Sequence, residues 1–99
     1  MVKFNVSLAK SSQGEILVNG TYVSGSEPIW IERVVLEELD SQGNAIGVWT
    51  HPADMNIDPV QGSYLLFSKM PSGSNVKAAR ATACYVEIDK TAKSTAFNL

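Results

Sequence analysis

The sequence predicts an all-β protein, a two-sheet antiparallel β-sandwich of about seven strands in one domain spanning 1–99. Three observations carry that prediction. Apolar and polar residues alternate with a period of two in several segments, the mark of a strand with one buried face. Clusters of Gly, Ser, Asn and Pro separate these segments at short intervals. The segments themselves are rich in β-branched and aromatic residues, which suit a pleated surface.

Val2, Phe4, Val6 and Leu8 alternate with polar neighbours and form the first strand, and 10–14 is a turn. The second strand runs over 15–24 with Ile16, Val18 and Tyr22 on one face. Asn19-Gly20 in its middle reads as a bulge rather than a hairpin, because three-residue arms would be marginal. The third segment, 29–39, is contested: Ser26-Glu27-Pro28 is a fair helix start and Leu36 to Leu39 is helix-friendly. Its β-branched opening, together with the hairpin loop at 40–44 and the return strand 45–50, favours a strand. With Pro52 and Pro59, 51–59 reads as a loop. Strands follow at 64–70 and 76–89, the latter expected to carry Val76, Ala78, Thr82, Cys84, Val86 and Ile88 on one face. A last edge strand fits 91–99.

In strand count and spacing the layout resembles an immunoglobulin-like or fibronectin-like sandwich. Trp30 falls early in the third strand and Cys84 late in the sixth, where immunoglobulin domains carry a core Trp and a Cys. The second strand offers no partner Cys, so the resemblance is architectural and no family motif stands behind it.

Composition narrows function mainly by exclusion. With 8 Lys+Arg against 10 Asp+Glu, the net charge of −2 supplies no general attraction to nucleic acid. No apolar run reaches the length of a membrane span, and Met1-Val2-Lys3 opens no secretory signal, which favours a cytoplasmic chain. A single Cys and a single His preclude an internal disulfide and most zinc sites. His51 with Asp54 is the only acid–base pairing worth weighing, and Cys84 reads as a small buried hydrophobe. No complete catalytic set emerges, so the expectation is a non-enzymatic protein without a cofactor. Two glycosylation-type sequons, at Asn5 and Asn19, match what chance gives in so Ser/Thr-rich a chain.

Two sets of residues remain as candidate ligand sites. Trp30, Trp49, Tyr22 and Tyr64 are candidates to stack on the apolar face of a sugar. Asp54, Asn56 and Asp58 carry oxygens at alternate positions, as a calcium loop begins, although Pro59 stands where such a loop needs Gly. Charge is uneven: 27–58 holds seven acids against Arg33, a net of −6, whereas 69–99 has a net of +3. Pairing of the third and sixth strands would bring those charges together.

Apolar residues also fall on both sides of several strands. The second has Leu17 and Val23 opposite its main face; the fifth has Tyr64 and Leu66 against Leu65 and Phe67. A two-sheet chain has nothing further with which to cover outer faces, so Leu17, Val23, Tyr64 and Leu66 are the expected interface. The sequence therefore suggests a structural or protein-interaction module that forms homo-oligomers or binds a protein partner. The alternative is a small glycan-binding domain.

Overall fold

The computed structural model describes residues 2–60, 62–86 and 90–99. Its strands are β1 (Lys3–Lys10), β2 (Ile16–Ser24), β3 (Ile29–Leu39), β4 (Ala45–His51), β5 (Met55–Ile57), β6 (Gly62–Lys69), β7 (Ala78–Val86), β8 (Lys90–Lys93) and β9 (Phe97–Asn98). One sheet runs β1-β2-β6 and the other β4-β3-β7-β8, all antiparallel. β5 extends the β4 side of β3, and β9 extends the β8 side of β7. Two antiparallel sheets packed on one another make the expected β-sandwich.

The disputed segment is the strand β3. Glu32 is an extra residue in its pairing with β7, where Ile31 faces Tyr85 and Arg33 faces Cys84. That bulge shifts the phase, so Ile29 and Ile31 point inward before it and Val34 and Leu36 after it, all fully buried. A second bulge leaves Leu66 as the extra residue in β6, opposite Val18-Asn19, and turns Leu66 and Phe67 both toward the core. β2 is continuous through Asn19-Gly20, and the extra residue expected there lies on its partner strand. Gly20 is required by close approach, since a Cβ at this position would lie 2.3 Å from Cζ of the Phe4 ring.

Ile16, Val18 and Tyr22 are buried as expected. For β7 the faces are reversed. Ala79, Ala81, Ala83 and Tyr85 point into the core; on the other side Ala78 and Cys84 are buried, as is Val76 just before the strand, whereas Thr82 is half-buried and Val86 exposed. Small alanines on the inner face leave room for the Ile, Leu and Tyr side chains of the facing strands, so apolar bulk marks the wrong side of this strand. Ile88 lies outside the described residues. Phe4 meets Tyr85 edge-on, with centroids 5.7 Å apart, tying β1 to β7 across the sandwich.

The 40–44 hairpin forms as expected, with Asp40 Oδ1 accepting from the backbone N–H groups of Gln42 and Asn44 and with Gly43 at φ 84°. The proline-flanked loop 51–59 contains the short strand β5, whose Met55–Ile57 pair with 29–31.

Candidate functional site

Two adjacent glutamates in a strand must point to opposite faces. Glu37 points outward and forms a two-pronged ion pair with Arg80 of β7, with Oε1 and Oε2 each 3.1 Å from a guanidinium nitrogen. The Arg80 bonds hold the Glu37 carboxyl below the ordinary glutamate range. Glu38 points inward and is 1% exposed. Its Oε1 accepts from Trp49 Nε1 at 2.8 Å and Ser72 Oγ at 2.7 Å. Its Oε2 accepts from the Ser72 backbone N–H at 2.8 Å and Lys69 Nζ at 3.3 Å. Burial pushes the carboxyl up, but the bonds from Ser72, Trp49 and Lys69 outweigh it and leave the pKa below the ordinary value.

This cluster joins both sheets. Glu38 and Trp49 belong to β3 and β4; Lys69 ends β6 and Ser72 lies in the turn after it. Lys69 Nζ also donates to Met70 O at 2.7 Å and Ser72 Oγ at 3.0 Å, and sits 4.6 Å from the Trp49 ring centroid. One step along β4, His51 stacks on Phe67 of β6 with centroids 4.6 Å apart. Four lone-pair positions on the carboxylate meet four donors, and three ammonium protons meet three acceptors. With these donors and acceptors matched to one another, the cluster is a clasp between the sheets.

The candidate aromatics separate in the structure. Tyr22 is buried at 1% exposure and donates its hydroxyl to Glu27 O, so it offers no ring face to a sugar. Tyr64 is half-buried and packs against the core. Trp49 is on the inward side of its sheet, in register with Leu36, and is committed to Glu38 and Lys69. Trp30 is on the outward side, 41% exposed, beside Val86 and Asn56. The two indoles therefore occupy opposite faces, about 20 Å apart along β3, and share no platform.

Asn56 sits within β5, and its Nδ2 donates to Asp58 Oδ1 at 3.4 Å. Met55–Ile57 stay extended, which sets alternate residues about 6–7 Å apart rather than curling 54–58 around an ion as a calcium loop does. Among the described residues no group of three or more His, Cys, Asp or Glu side chains could hold a metal. Cys84 and His51 lie on opposite faces of one sheet and form no dyad.

The four expected interface residues differ in exposure. Leu66 is in the core at 4% exposure and Tyr64 packs against the core, while Leu17 and Val23 are half-buried. The outer face of β1-β2-β6 is largely polar: Asn5 pairs with Thr21 and Ser7 with Asn19, and Thr21 meets Ser63 at 3.1 Å. On β4, Ile46 is 44%, Val48 60% and Trp49 45% exposed, while Leu65, beside Asn19 on the outer face of β6, is 54% exposed. Sequence reading missed Ile46, Val48, Glu38, Lys69 and Ser72. The adjacent glutamates were the available signal for an inward, partnered carboxylate.

Comparison with protein-family models, curated proteins and solved structures finds no match.

Proposed function

We propose that this protein is a non-enzymatic interaction module that self-associates through the free edge of β4. The observation that carries the reading is the state of that strand. Among the described residues β4 ends its sheet and pairs only with β3, and it contains no charged residue and no proline. Edge strands are ordinarily blunted by such residues, by bulges or by shortness. β1 carries Lys3 and Lys10, β6 is broken by its bulge, and β8 and β9 are short. β4 has a bulge at Ile46, but Gly47–His51 then run in regular register against 34–38.

A second copy is the partner that fits most simply. Antiparallel pairing about a two-fold axis at Val48 sets Trp49 opposite the Gly47 of the second copy, where no side chain obstructs the ring. The strand's open backbone groups supply affinity, and Ile46 and Val48 supply apolar contact. The contact area is small, which makes the association weak and concentration-dependent. Hydrogen exchange tests this directly. The amides of 47–51 should slow as protein concentration rises while those of β1 stay constant; rates independent of concentration would contradict self-association through this edge.

A further inference from the structure

We infer that the outer surface around Trp30 is a second docking site, one that receives a cationic polypeptide segment by placing a Lys or Arg side chain on the Trp30 ring. This goes beyond self-association and uses the opposite end of β3.

Much of the sequence's charge asymmetry disappears on folding. Of the seven acids in 27–58, Glu37 is taken by Arg80 and Glu38 by Lys69, and Asp40 closes its own hairpin. Glu27, Glu32, Asp54 and Asp58 remain, all exposed, and each lies close to Trp30 along the chain or close to its cross-strand neighbour Asn56. Glu27 lies three residues before Trp30 and Glu32 two after it. Asp54 and Asp58 flank Asn56, the direct cross-strand neighbour of Trp30. The one cation described among them is Arg33, 3.6 Å from Glu32 and itself half-exposed. Four carboxylates against one guanidinium leave a negative rim around an exposed aromatic face.

The Trp30 indole N–H meets no protein acceptor among the described residues, in contrast to that of Trp49. Val86, 47% exposed, extends the apolar floor on the other side. A cation over an indole with carboxylates nearby is also an arrangement this protein builds for itself, in Lys69, Trp49 and Glu38. Around Trp30 the ring and the acids are present, and among the described residues no cation lies over the ring. Charge complementarity selects a basic segment over a neutral sugar, which would gain nothing from a rim of four carboxylates.

Titration of the isotope-labelled protein with a lysine-rich decapeptide at low ionic strength, followed by NMR, is the test. The Trp30 indole N–H and the amides of Asn56 and Val86 should move, and added salt should reverse the shifts. Trp30→Ala should abolish the response. Glu32→Gln, Asp54→Asn and Asp58→Asn together, which keep the ring and the surface shape, should weaken binding about tenfold. Shifts confined to β4, equal binding of a glutamate-rich peptide, an unchanged affinity in the triple variant, or a neutral oligosaccharide that moves Trp30 when the basic peptide does not would each overturn the proposal.

Discussion

Glu38 Oε2 and Lys69 Nζ lie 3.3 Å apart, an ion pair between the two sheets whose carboxylate side chain is 2% exposed and whose lysine is 18% exposed. Such a pair is costly to desolvate, and it persists here because its other lone pairs and protons are matched by Trp49, Ser72 and Met70 O. Removing one partner is then worse than removing both. Glu38→Ala should destabilise the fold by about 3 kcal/mol in urea unfolding, since it strands a largely buried ammonium and three further donors. Glu38→Met with Lys69→Met should cost less than the sum of the single changes. Additive effects would show that the clasp contributes nothing as a unit.

The same carboxylate gives stability a direction with pH. Burial raises its pKa and the bonds lower it further than burial raises it, so the folded value lies below the ordinary 4.5. A depressed carboxylate binds fewer protons folded than unfolded, so its stabilisation is complete above the ordinary value and is lost as pH falls through the folded one. Glu37, held down by Arg80, acts in the same sense. Unfolding midpoints should therefore fall on acidification below about 4.5, and Glu38→Gln should make that fall shallower. An identical acid slope in the variant would remove Glu38 from the explanation.

Alternation within β1 and β2 was enough to identify their inner faces, because Val2, Phe4 and Val6, and Ile16, Val18 and Tyr22, are large and their strands keep one phase in that stretch. Apolar residues on both sides of 29–39 are what a phase shift near Arg33 produces, and the bulge lies there, at Glu32. The bulge at Leu66 was not legible in position, since one extra residue reverses every side chain beyond it and leaves no mark in composition. β7 misled for a different reason. Its core-facing side is mostly alanine, and a rule that seeks bulk chooses the side of Val86 instead, although Cys84 on that side is buried as expected. Leu66 was misplaced by its own bulge, which turned inward a side chain that otherwise looked like surplus surface.

Gly20 tests the packing of β2 against β1. A methyl group there would meet Phe4 Cζ at 2.3 Å, Cε2 at 2.9 Å and Leu66 Cδ1 at 3.0 Å. The Phe4 ring is itself fixed against Tyr85, so it has little room to retreat. Gly20→Ala should cost about 1–3 kcal/mol by overpacking. It should also move the aromatic near-ultraviolet signal of Phe4 and Tyr85; a neutral effect on stability would contradict the close approach.

Self-association through β4 is tested most directly by sedimentation equilibrium of the wild-type protein beside Val48→Lys. Val48 is 60% exposed and faces outward opposite Glu37, so the substitution leaves the core untouched and places a charge on the free edge strand. The wild type should show a concentration-dependent monomer–dimer equilibrium, and Val48→Lys should remain monomeric with unchanged unfolding stability. A wild-type chain that stays monomeric at high concentration, or a variant that dimerises as readily as the wild type, would contradict it.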